Sequence, residues 1–153
     1  MITKIGCKGA VLESPAGFFV SLTLMKTLLS HPYTLVFMGG GIGSLLRFLT
    51  SRFVPATLAG SPFPLAILMV NVVASLVLGC VVGWLLMRSA GEEMRLLIGV
   101  GFCGGLSTFS SFSYDTLALL QNGRLGAACL NISLNVVLCL LASAGGFWLG
   151  QKF

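Results

Sequence analysis

Phe63-Pro-Leu-Ala-Ile-Leu-Met-Val-Asn-Val-Val-Ala-Ser-Leu-Val-Leu-Gly-Cys-Val-Val-Gly-Trp-Leu-Leu-Met87 contains no charged side chain. Crossing the hydrocarbon core of a bilayer as a helix takes about 20 apolar residues. Every backbone polar group must then be satisfied within the segment or by a closed barrel. Barrel strands alternate polar and apolar residues at every second position, and this stretch does not. The reading is a membrane-spanning helix. Three further stretches read the same way: Tyr33 to Thr50 with one charge, Arg47; Leu96 to Leu120 with one charge, Asp115; and Leu125 to Gly150 with none.

The whole chain agrees with its most apolar part. Of its 153 residues 56% are hydrophobic and 8% charged, against about 25% charged in a soluble domain. Lipid can solvate such a chain where water cannot. The sequence therefore predicts an all-α integral membrane protein of four spans, with short connections at Arg52 to Pro62, Arg88 to Arg95 and Gln121 to Arg124. Residues 31–153 form the transmembrane unit. Residues 1–30 carry Lys4, Lys8, Lys26 and the apolar run Phe18 to Met25; they read as an N-terminal extension outside the functional argument, with Met25-Lys26 a sensible start.

The net charge of +5 comes from scattered basic residues with no cluster that tracks a phosphate backbone. Counted from Met25, Lys26, Arg88, Arg95 and Lys152 fall on one side of the four spans, and Arg52 and Arg124 on the other. Such a weak bias lets a chain insert either way up, which permits antiparallel assembly. Four tightly packed helices leave little room for a pore within one chain, so transport favours an oligomer.

Several enzymatic readings fail on the residues. There are no paired carboxylates, no histidine cluster and no nucleophile with its base, so the protein is not read as an enzyme. Gly99-Val-Gly-Phe-Cys-Gly104 fits a dinucleotide pattern but lies inside an apolar span with no strand before it. Asn131-Ile-Ser133 fits a glycosylation pattern but sits in mid-helix. Cys7, Cys80, Cys103, Cys129 and Cys139 are odd in number and form no CxxC pair; they read as small buried hydrophobes. His31, beside Pro32, reads as interfacial.

Glycines recur at small-xxx-small spacing in Gly39/Gly43, Gly79/Gly83, Gly101/Gly105 and Gly146/Gly150. In lipid such residues let helix backbones approach closely. They are read as intramolecular packing contacts, with dimer contacts the alternative.

The polar residues in the spans then need an explanation, because each is costly unless partnered. Asn71 and Ser75 are four apart on one helix face, as are Asn131 and Asn135. Each pair can staple helices or line a path. In the third span, Gly104-Gly-Leu-Ser-Thr-Phe-Ser-Ser-Phe-Ser113 sets two glycines before Ser107, Thr108, Ser110 and Ser111. That composition predicts a break near the middle of the helix, freeing carbonyls that need a partner. Phe109 and Phe112, three apart, share a face. Phenyl edges are electropositive, and hydroxyls beside them can donate hydrogen bonds. The combination suits a small, strongly hydrated anion. Arg47 either snorkels to the interface, attracts anions to a vestibule, or pairs with Asp115.

At these residues the chain resembles the CrcB/Fluc family of small fluoride channels. Gly39-Gly-Gly-Ile-Gly-Ser-Leu-Leu-Arg47 is similar to the family's GGxxGAxxR, and Phe63-Pro with Val70-Asn71 to its FPxGTLxVN. Gly101-Phe-Cys-Gly-Gly-Leu-Ser-Thr-Phe-Ser-Ser-Phe-Ser113 is close to GFCGGLTTFSTFS. The resemblance spans about residues 33–150. It implies a head-to-tail, dual-topology homodimer in a bacterial-type inner membrane, exporting fluoride passively from the cytoplasm through two pathways. It makes Phe109 and Phe112 the fluoride-facing phenylalanines and Asn71 the pore asparagine, with Asn131 and Asn135 as polar pore residues. Gly104 and Ser107 would offer backbone carbonyls to a structural sodium ion at the dimer centre. Asp115 replaces a glutamate, Ser107 a threonine, Ala66-Ile67 a Gly-Thr, and Ala74 a glycine. Two other readings stand beside it. A small four-helix drug/proton antiporter would need a carboxylate embedded in the first helix, which is absent. A non-transporting membrane assembly subunit would fold and pass no ion.

Overall fold

A computed structural model describes residues 31–55, 57–58, 61–88 and 91–153. The expectations for residues 1–30, including Cys7, lie outside the described residues.

Helix α1, Pro32–Phe53, begins where Pro32 presets the first helical dihedral after the extended His31. It ends at Val54, whose backbone turns extended before Pro55. Thr57–Leu58 (β1) and Ser61–Pro62 (β2) pair antiparallel, Thr57 opposite Pro62 and Leu58 opposite Ser61. This two-residue ladder is a small departure from an all-helical chain. Helix α2 is Leu65–Arg88. The third span starts as α3, Glu92–Met94, passes into a π-helix over Arg95–Cys103, and closes with one turn, α4, Gly104–Leu106. Helix α5, Phe109–Gln121, carries the chain on. The turn into α6, Leu125–Gly150, places Gly123 at φ 71°. There the Gly123 N–H donates to the Leu120 carbonyl at 3.0 Å and the Arg124 N–H to that of Leu119 at 2.9 Å. That is the paired-bond helix stop that glycine favours.

Four helical stretches are long and apolar enough to cross a membrane: Pro32–Phe53, Leu65–Arg88, Glu92–Gln121 and Leu125–Gly150. Large apolar side chains such as Phe37, Phe48, Leu86 and Leu140 point outward, as lipid-facing positions do.

The glycine pairs explain which helices meet. A Cβ on Gly39 or Gly43 would collide with the backbone of Leu97 and Phe102, and one on Gly101 would come within 2.9 Å of the Val36 carbonyl oxygen. Helix α1 therefore lies against the first half of the third span. A Cβ on Gly79 would sit 3.0 Å from Phe147 N, and one on Gly146 3.0 Å from Cys80 N, joining α2 to α6. All four pairs are intramolecular contacts, and both helix pairs run parallel, the first span with the third and the second with the fourth. The parallel sense follows from an up-down chain whose alternate spans share a direction.

Beneath the start of α5 lies a buried cluster of Val70, Ala74, Cys103 and Leu106, with Val77, Ile98 and Phe102 against it. Ala74, at 2% exposure, packs beside Cys103 and Leu106 of the third span. Among the cysteines, Cys103 is buried and Cys80 and Cys139 half-buried, but Cys129 is exposed. The burial expected from its apolar surroundings fails because α6 turns Cys129 away from its neighbours.

Candidate functional site

The site begins at two residues that are not helical. Ser107 (φ −78°, ψ 152°) and Thr108 (φ −153°, ψ 120°) are extended and separate α4 from α5. Ser107 closes the turn before it: its N–H and its hydroxyl each donate to the Cys103 carbonyl at 2.9 Å. Thr108 caps the helix after it, its hydroxyl oxygen accepting from the Ser111 N–H at 3.3 Å and lying 3.0 Å from the Ser110 hydroxyl. A side-chain oxygen at this position satisfies a donor that the helix start leaves without a partner.

These bonds redirect two donors. The Thr108 N–H, which in a continuous helix would bond the Gly104 carbonyl, donates instead to Asn71 Oδ1 at 2.9 Å. The Ser111 N–H, due to the Ser107 carbonyl, is taken by the Thr108 hydroxyl. The carbonyls of Gly104 and Ser107 thus lose their regular helical donors, and Gly104 lies exposed with nothing within 4 Å of its Cβ position. Backbone carbonyls without a helical donor are a kind of ligand that a cation can use.

From Thr108 a row of amides leads across the bundle. Asn71 Nδ2 donates to Asn135 Oδ1 at 3.0 Å. Asn135 Nδ2 donates to Asn131 Oδ1 and to the Asn131 backbone carbonyl, both at 3.0 Å. Asn131 Nδ2 donates to Thr116 Oγ1 at 2.9 Å, and the Thr116 hydroxyl donates to the Phe112 carbonyl at 2.7 Å. Asn131 is 1% exposed. Helices α2 and α6 are thereby tied to both ends of the first turn of α5. Three amides that would each be costly alone in a span become inexpensive once linked.

Phe109 and Phe112 stand beside the row, ring centroids 5.5 Å apart and planes at 47°. Phe112 is half-buried and Phe109 is 79% exposed, turned away from its own chain. Ser110, Ser111 and Asp115 line a groove of about 920 Å³ that also takes in Phe63, Tyr114 and Arg124.

Of the residues singled out in the sequence, Asn71, Thr108, Asn131 and Asn135 are joined directly, Phe109 and Phe112 meet each other, and Ser110 and Ser111 link Thr108 to the groove. Gly104 and Ser107 flank the same break. Arg47 stands apart: among the described residues the one ion pair joins Arg95 to Glu92, so no Arg47–Asp115 pair exists, and Arg47 does not line the groove. The basic residue that does line it is Arg124. Ser75 contributes through its backbone, its carbonyl accepting from the Ser143 hydroxyl at 3.4 Å. Thr116 was not among the expected residues. Its signal is its place four residues after Phe112 on α5, facing the asparagines of α6.

Four apolar spans, two glycine-packed parallel helix pairs and a row of polar side chains inside the membrane define a small polytopic membrane protein with a polar seam around an interrupted third span. The chain belongs to the CrcB family: the family described as "CrcB-like protein, Camphor Resistance (CrcB)" matches residues 34–147. It is 44% identical over 114 residues to a fluoride-specific ion channel FluC of Shewanella amazonensis, covering 74% of this chain and 88% of the relative. A fluoride-specific ion channel FluC of Pyrococcus abyssi is 40% identical over 119 residues, covering 77% and 94% respectively. One from Novosphingobium aromaticivorans is 44% identical over 117 residues, covering 75% and 89%.

Proposed function

We propose that this protein is a passive fluoride-selective channel that lets fluoride leave the cytoplasm, driven by a negative-inside membrane potential. The observation that carries the reading is the Phe109–Phe112 pair set beside the break, with hydroxyls and an amide row at hand. A fluoride ion gives up a tightly held hydration shell only where donors replace it. Phenyl edges are weakly positive, the Ser110 and Ser111 hydroxyls can donate, and one N–H of Asn71 is uncommitted after the bond to Asn135. None carries a full positive charge, so the ion is stabilised without being trapped. Conduction needs binding of that moderate kind. The names of the relatives support fluoride as the ion.

The working unit is an antiparallel, dual-topology homodimer in the inner membrane, with two pathways. The exposure of Phe109 and Gly104 supports this, since a second copy could cover both. A structural sodium ion at the centre of that dimer would be held by the carbonyls of Gly104 and Ser107, which have lost their helical donors. Bound there, it would supply positive charge to carbonyls that lack a helical donor.

The test is fluoride release from liposomes containing the purified protein, with chloride-loaded liposomes as control. Fast fluoride release without chloride release, reduced in Phe109→Ile or Phe112→Ile, is the expected result. Release of neither ion from folded protein would favour a non-transporting assembly subunit. Proton-coupled uptake of an organic cation would favour the antiporter.

A further inference from the structure

The direction of every amide in the row is dictated by backbone groups at its ends. An N–H can only donate, so the Thr108 N–H fixes Asn71 with its oxygen toward the break and its nitrogen toward Asn135. Asn135 must meet that nitrogen with its oxygen, and its own nitrogen then faces the Asn131 carbonyl, which can only accept. Asn131 therefore turns its oxygen to Asn135 and its nitrogen to Thr116. Thr116 must accept, which leaves its one proton for the Phe112 carbonyl. Five hydrogen bonds thus run one way, from the Thr108 N–H to the carbonyl of Phe112. The same turn that opens the helix before Phe109 is tied back to it behind Phe112.

We infer that Thr116 is a positioning residue of the ion pathway, anchoring the far end of the amide row and holding the Phe112 backbone through the two bonds of one hydroxyl. The inference rests on the fluoride-channel reading for its effect on transport, and on the row alone for its effect on the amides. Thr116 is buried at 8% exposure, so it acts through Asn131 and Phe112 and not on the ion. With its oxygen removed, Asn131 Nδ2 is stranded in a site with 1% exposure. Asn131 gains nothing by turning over, because its nitrogen would then face that of Asn135; the side chain shifts instead, and the shift passes through Asn135 to Asn71.

The test compares Thr116→Val, which keeps the shape, with Thr116→Ser, which keeps the hydroxyl. Fluoride efflux is expected to fall about tenfold in Thr116→Val and to stay within about threefold of wild type in Thr116→Ser. Thr116→Val added to Asn131→Leu is expected to cost less than Thr116→Val costs alone, since one of the hydroxyl's two partners is already gone. Equal losses in Thr116→Val and Thr116→Ser, or losses that multiply with Asn131→Leu, would overturn the inference in favour of packing alone. If Thr116→Val does not fold, Thr116→Cys replaces it, a weak hydrogen-bonding group that must rank below Thr116→Ser. A readout independent of transport is the set of side-chain amide signals of 15N-asparagine-labelled protein. Removing the hydroxyl is expected to shift the signals of Asn131, Asn135 and Asn71 together, and serine to restore all three. A shift confined to Asn131 would overturn the inference. Wild-type protein that passes no fluoride would overturn the channel reading, and the amide signals would still decide the role of Thr116.

Discussion

Asn71 accepts from the Thr108 N–H at 2.9 Å and donates to Asn135 at 3.0 Å, so no side chain that only accepts or only packs can replace it. Asn71→Leu would leave the Thr108 N–H and Asn135 Oδ1 without partners in a half-buried place, at a cost of about 1–3 kcal/mol each. The expected outcome is a lower unfolding midpoint in detergent together with slower fluoride efflux. Phe112→Ile, by contrast, keeps the backbone carbonyl that Thr116 holds and is expected to lower efflux with little change in that midpoint. These roles were only partly legible in the residues. Asparagines four apart in an apolar span announce a polar seam, and the two phenylalanines announce a shared face. Thr116 did not stand out, because a helical hydroxyl commonly bonds its own preceding turn. Here it does that and accepts from Asn131 as well. The Arg47–Asp115 pair, one of three readings of Arg47, does not form among the described residues, and a lone basic and a lone acidic residue in separate spans do not by themselves say which reading holds.

At the scale of elements, packing rests on backbone contact at glycine. A methyl group on Gly43 or Gly79 would meet backbone atoms of the facing helix, whereas one on Gly126 would meet nothing within 4 Å. Gly43→Ala and Gly79→Ala are each expected to destabilise by about 1–3 kcal/mol, the usual cost of overpacking, and Gly126→Ala to be neutral or stabilising by up to about 1 kcal/mol. Thermal or denaturant unfolding in detergent checks all three. Equal effects at all three positions would contradict this account of the helix contacts. The spans themselves were legible, because about 20 consecutive apolar residues have one solution in lipid. Their ends shifted by a few residues, as in Pro32–Phe53 against Tyr33 to Thr50, since helices run past the apolar stretch into the interface. The spacing of the glycines marked contact faces but not partners, which depend on the parallel pairing of alternate spans. The π-helix over Arg95–Cys103 left no trace in composition, because a wider hydrogen-bond register needs no special residue type.

For the whole molecule, an antiparallel dimer asks the same chain to insert in both orientations. A reporter fused at the C-terminal end is expected on both sides of the membrane, and adding basic residues next to Arg52 and Arg124 is expected to bias insertion and reduce efflux. The sodium ion proposed for the dimer centre leads to a further expectation. Replacing sodium with a large organic cation in every buffer should weaken the dimer seen by cross-linking, and Gly104→Pro, which removes a backbone donor and perturbs the break, should do the same in sodium. The central claim is that the phenylalanine pair beside the amide row passes fluoride and excludes chloride. It is tested most directly by efflux from liposomes into a fluoride electrode, wild type against Phe112→Ile. Rapid fluoride release by the wild type, none of chloride, and a large loss in the variant is the expected result. Fluoride release that the variant leaves untouched, or chloride release at a similar rate, would contradict the claim.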